Sequence, residues 1–176
     1  MAKGTRRAED QTAAVSAPAR SLCSNAALRK ATRNIGQLYD EVLAPSGLRT
    51  TQHGLLVTIR ALGAPTMGQL AETMVMDLSG LGHTLKPLVR DGYLRLVPDE
   101  ADRRVRRVVL TDLGAAKLEQ TIPLWQDAQS RFEAAFGAER TAALRDILAA
   151  LVMPGFREAF ADDAANARGD RPGDPA

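Results

Sequence analysis

A chain of 176 residues, 45 % hydrophobic and 25 % charged, has the composition of one globular domain with a sizeable core. A single cysteine, Cys23, excludes an intramolecular disulfide and, with it, a secreted disulfide scaffold. Twenty-three basic side chains against 21 acidic ones leave a net charge of +2, so a polyanion partner must be met by local clusters of charge.

Residues 1–21 are small, polar and without periodicity, and are expected to form a disordered arm. From Leu22 to Leu43 apolar residues recur at Leu28, Ala31, Ile35, Leu38 and Val42, the spacing of an amphipathic helix. Ala44-Pro45-Ser46-Gly47 ends it by turn chemistry. Thr50 or Thr51 is expected to cap a second helix with Leu55, Leu56 and Ile59 inward, before Gly63-Ala64-Pro65 breaks the chain. Thr66 followed three residues later by Gln69 has capping-box spacing and predicts a short third helix. Asp77 predicts the cap of a fourth, with Leu78, Leu81, Leu85 and Leu88 inward and Gly92 as its stop.

The period then changes. Residues 93–97 and 105–110 are β-prone runs around the charged stretch 98–104, which reads as a hairpin with a charged tip. Residues 86–107 hold seven basic and four acidic side chains. Thr111 is expected to cap a long helix to about Phe136, bent or split near Thr121 by Pro123. Gly137 separates a last helix, about 138–152, with Leu144, Ile147, Leu148 and Leu151 inward. Residues 153–176 read as a mostly disordered tail.

Enzyme chemistry finds no support. Gly80 and Gly82 lack a phosphate-loop context, and His53 and His83 stand 30 residues apart without the companions a zinc site needs, so neither metal nor cofactor is expected. No apolar leader or 18-residue apolar run is visible, so the expected address is cytoplasmic, with no membrane partner.

The order helix, turn, helix, arginine-bearing hairpin is that of a DNA-binding lobe. Three patterns within it resemble the MarR family of winged helix-turn-helix regulators. They are the helix end Leu88-Val89-Arg90-Asp91-Gly92, the wing Asp99-Glu100-Ala101-Asp102-Arg103-Arg104, and the helix start Leu110-Thr111-Asp112-Leu113-Gly114. The resemblance covers about 22–152. It implies a mainly α fold with a small β-hairpin wing: a winged helix-turn-helix lobe at 51–110 and dimerisation helices at 22–44 and 112–152. It also implies a homodimer, each subunit reading half of a pseudo-palindromic duplex operator.

On the recognition helix the outward positions include Ser79, Gly80, His83, Thr84 and Lys86, candidates for base and phosphate contacts. The two glycines and Pro87 should leave this helix less rigid alone than most. In the wing, Arg104 resembles the family's minor-groove arginine and Asp102 the carboxylate that orients it, with Arg103 and Arg106 reaching phosphates. Two signals stand open. Cys23, at a helix N-terminus, is placed as in the hydroperoxide-sensing branch of the family. A phenolic or aromatic effector would instead enter a cleft for which Leu38, Tyr39, His53, Leu56 and Trp125 are candidates. The resulting expectation is a repressor released by one of these signals. The alternative is a winged-helix protein-interaction module that does not bind DNA.

Overall fold

The structure, a computed structural model, describes residues 23–169, so the expected N-terminal arm lies outside the described residues. These fall into two compact units, one ending at Ile35 and the other beginning at Gly36. In chain order the elements are α1 (Ser24–Leu43), a 3-10 turn (Ala44–Ser46), α2 (Thr50–Leu62), α3 (Met67–Thr73) and α4 (Leu78–Arg90). There follow β1 (Leu94–Pro98), β2 (Arg106–Leu110), α5 (Asp112–Phe136), α6 (Ala138–Leu151) and α7 (Pro154–Gly169). Among the described residues the fold is mainly helical with one antiparallel hairpin.

Three helix starts follow the expected local chemistry. Thr66 Oγ1 accepts from Gln69 N at 3.1 Å while Gln69 Oε1 accepts from Thr66 N at 2.9 Å, satisfying two otherwise orphaned amides at the head of α3. Asp77 Oδ1 accepts from Gly80 N at 2.7 Å, and Thr111 Oγ1 accepts from Gly114 N at 3.0 Å. The start of α2 differs. Thr50 is already helical and Arg49 holds the extended cap position, so neither threonine can cap. Gln52 Oε1 accepts from Arg49 N at 2.9 Å, and Asp40 of α1 accepts from Thr50 N at 2.7 Å.

The core is aliphatic. Leu55, Leu56 and Ile59 of α2, Leu70 of α3, and Leu81, Leu85 and Leu88 of α4 pack with Leu94, Val108 and Leu118. Leu78, expected inward, is 59 % exposed. Helical side chains lean toward the N-terminus, so the first side chain of α4 projects past the core. The other expectations corrected are at the C-terminal end. α5 is not split near Thr121 but runs from Asp112 to Phe136 through Pro123, which is exposed and removes a single amide donor. The expected disordered tail is helical to Gly169: Pro154 sits at its first position, where a fixed φ favours initiation, and Ala, Arg and Glu follow. On α6 the expected inward face is largely open, with Ile147 60 % exposed.

The hairpin pairs Leu94 with Leu110 through Pro98 with Arg106. Val108 N donates to Pro65 O at 2.8 Å, and Thr66 bridges to Arg107, so the wing is stitched to the turn that opens α3. At its other end Gly114 allows α5 to touch the residue that leads into β1: a Cβ there would stand 2.1 Å from Tyr93 O.

Candidate nucleic-acid interface

α4 buries Leu81, Leu85 and Leu88 and presents its opposite face outward. Ser79, His83 and Lys86 are exposed; Gly80 and Thr84 are half-buried. Gly80 has a structural reason. An added Cβ would lie 3.1 Å from Asp77 Oδ2, so the glycine makes room for the capping carboxylate. Thr84 Oγ1 donates to Gly80 O at 2.9 Å, which leaves its hydroxyl oxygen as an acceptor toward any partner. α4 stays helical across Pro87 to Arg90.

The wing tip is organised by Asp99, expected only as the first residue of the wing pattern and not as a site residue. Its Oδ1 accepts from Ala101 N at 2.8 Å and Asp102 N at 3.1 Å, and its Oδ2 accepts from Arg107 Nε. Those amides and the Arg107 guanidinium hold the Asp99 carboxyl below the usual carboxylate range. Arg107 also donates from Nη1 to Ala64 O at 2.9 Å. A Pro-Asp pair entering a turn is the local signal that would have found Asp99. Arg107 has no such signal, because its carbonyl partner lies 43 residues away.

Asp102 accepts from the backbone N of Arg104 at 2.9 Å, so it orients Arg104 through the main chain and not through the guanidinium. Arg95, Arg103, Arg104 and Arg106 are all exposed. Arg49, the cap of α2, Gln52 within it, and His83, Lys86 and Arg90 of α4 line an open groove of about 740 Å³. Arg90 is paired with Asp91 at 2.7 Å.

The five cleft candidates do not line that groove. Leu56 is core, and Leu38 is 49 % exposed. Tyr39 donates to Gln129 Oε1 at 3.0 Å and meets Phe132 edge-on. His53 is buried, with Nδ1 2.9 Å from Thr121 Oγ1 and its ring stacked on Trp125 at 6.1 Å. Thr121 donates its own proton to Leu118 O, so it accepts from His53 Nδ1–H. Burial first, and the charge of Arg60 second, push the His53 pKa down. Cys23 is exposed beside the first residue of α1. No helix among the described residues is long and apolar enough to cross a membrane.

Comparison with known proteins gives a consistent result. The sequence pattern of the MarR family matches residues 46–105. An HTH-type transcriptional regulator of Bacillus cereus is 31 % identical over 101 residues, which is 57 % of this chain and 67 % of the relative. M. tuberculosis MosR in complex with DNA is 31 % identical with a TM-score of 0.61, covering 85 % of this chain and 99 % of that one. A mutant of E. coli MarR complexed with operator DNA is 27 % identical with a TM-score of 0.67, covering 73 % and 93 %.

Proposed function

Because the chain belongs to the MarR family of transcription regulators, we propose that it is a homodimeric repressor that binds a pseudo-palindromic operator through α4 and the wing. The observation that carries this reading is the wing itself. A hairpin pinned by Asp99 displays four exposed arginines on a scaffold continuous with the helix-turn-helix pair. Narrow A·T minor grooves concentrate negative potential and attract such arginines. Arg104 is the proposed groove residue, Arg103 and Arg106 the phosphate contacts, and Asp102 the backbone support of Arg104.

Ser79 and His83 on the exposed face of α4 are assigned to base edges or phosphates, Gly80 to close approach, Lys86 to the phosphate backbone, and Thr84, whose proton goes to Gly80 O, to accepting from a base amino group. The lobe is assigned to 51–110 and the dimer contacts to 22–44 and 112–152. Half-open apolar faces support the dimer: Leu28 and Leu38 on α1, and Ile147 and Leu148 on α6, each at least 39 % exposed. Such faces call for a second copy.

A duplex from the region upstream of its own gene, titrated at several salt concentrations, tests the reading. Phosphate contacts release counterions, so affinity must fall steeply with salt. An interaction module without DNA binding would give no shift at any salt. For the signal, the exposed position of Cys23 favours oxidation of its thiolate over burial of a small apolar residue. A phenolic or aromatic effector at Tyr39, His53 and Trp125 is the second reading, favoured by the ring stack there. Cys23→Ser separates them: if peroxide still releases DNA from this variant, thiol sensing is wrong.

A further inference from the structure

The Asp99–Arg107 pair does more than close a hairpin. Arg107 Nε donates to Asp99 Oδ2 at the wing tip, while Nη1 of the same guanidinium donates to Ala64 O at 2.9 Å. Ala64 is one of two non-glycine residues with positive φ among those described, at 57°, and lies in the turn that opens α3. A strained backbone of this kind persists where its surroundings hold it. The Asp99 side chain is only 11 % exposed and that of Arg107 38 %. From Asp99 the order passes along the tip: its carboxylate takes the amide of Asp102, and the Asp102 carboxylate takes the amide of Arg104.

We propose that Arg107 is a positioning residue for DNA binding, one that fixes the wing against the turn that opens α3, the first helix of the helix-turn-helix pair, through Ala64 and Asp99 and so sets the pose of Arg104. The inference rests on the DNA-binding reading above. Four arginines of the wing face solvent and offer charge to a duplex. Arg107 differs because a planar fork can bind a carboxylate and a carbonyl at once, whereas a lysine presents a point charge. Its contribution to binding is therefore geometric and passes through Arg104.

The test is a set of variants of the full chain: Asp99→Asn, Arg107→Gln and Arg107→Lys, each alone and with Arg104→Ala, titrated with the upstream duplex. Thermal midpoints and dimer mass are checked in parallel. By charge alone, removing the Asp99 carboxylate brings the wing closer to a polyanion's liking and strengthens binding. The positioning role requires the opposite sign: Asp99→Asn and Arg107→Gln each weaken binding, by about 5- to 150-fold and by no more than Arg104→Ala does, since one arginine contact is at stake. In the Arg104→Ala background each changes affinity by less than about twofold, because coupled residues are not additive. Arg107→Lys, the mildest change to folding, must fall with Arg107→Gln.

Stronger binding by Asp99→Asn, or additive losses in the Arg104→Ala background, would overturn the proposal and make Arg107 a direct phosphate contact or a purely structural residue. If the unaltered chain fails to shift the duplex at low salt, the DNA-binding reading itself is what has failed.

Discussion

Gly114→Ala should be among the most damaging single-methyl changes in this chain. Its Cβ would stand 2.1 Å from Tyr93 O, 2.8 Å from Leu110 Cδ1 and 2.9 Å from Tyr93 C. The nearest obstacle is backbone, so no rotamer change relieves it, and α5 must withdraw from Tyr93 until the contact reaches at least 3.4 Å. Overpacking of this kind costs about 1–3 kcal/mol. Withdrawal also stretches the 3.1 Å bond from Thr111 N to Tyr93 O, worth about 1 kcal/mol. Against that, alanine gains about 1 kcal/mol over glycine within a helix. The net loss is about 1–3 kcal/mol, which for a chain of this length lowers the thermal midpoint by roughly 2–12 °C. Gly82→Ala is the control. There an added Cβ meets nothing within 4 Å, so helix preference acts alone and the midpoint should hold or rise. Circular-dichroism melts at one fixed protein concentration decide. A Gly114→Ala midpoint equal to that of the unaltered chain would refute the close-approach argument.

Arg104→Ala should weaken operator binding by about 1–3 kcal/mol at moderate salt without moving the thermal midpoint, as read by fluorescence anisotropy. Ile147→Glu places a charge on the open face of α6, so sedimentation should show a larger monomer fraction; an unchanged dimer would remove α6 from the interface. His53 predicts a pH dependence. Its folded pKa lies below its unfolded value near 6.5, so the unfolded chain binds the proton first as the pH falls. Its contribution to stability is complete above that value and is lost as the pH drops through the folded one. Urea midpoints should therefore decline below about pH 6.5 in the parent chain, with a shallower decline in His53→Gln.

Most of what depends on neighbours three or four residues apart could be read from the sequence, the Arg49–Gln52 pair at the head of α2 being the exception. The caps at Thr66, Asp77 and Thr111 and the buried spacing of Leu81, Leu85 and Leu88 are of this kind. Missed were the contacts that distant segments make. Thr121 meets His53 across 68 residues, and Lys117 donates to Ser46 O across 71. Leu78 and Pro123 failed for a related reason: periodicity says nothing about where a helix overruns its core, or whether tertiary packing carries it through a proline.

The charge of the wing shows why this matters for function. Seven basic residues between 86 and 107 read in sequence as one cationic surface. The fold divides them. Arg90 is tied to Asp91, and Arg107 to Asp99 and Ala64, which leaves Lys86, Arg95, Arg103, Arg104 and Arg106 exposed to a partner. A salt titration is sensitive to that division. Each phosphate neutralised contributes about 0.9 to the slope of log affinity against log salt for duplex DNA. Neutralising Arg103 or Arg106 should therefore flatten the slope by about one contact per half-site, whereas neutralising Asp99 should weaken binding with the set of cations intact. An inert Asp99→Asn beside a flattened Arg106→Ala would mean that wing charge alone, and not its geometry, governs binding.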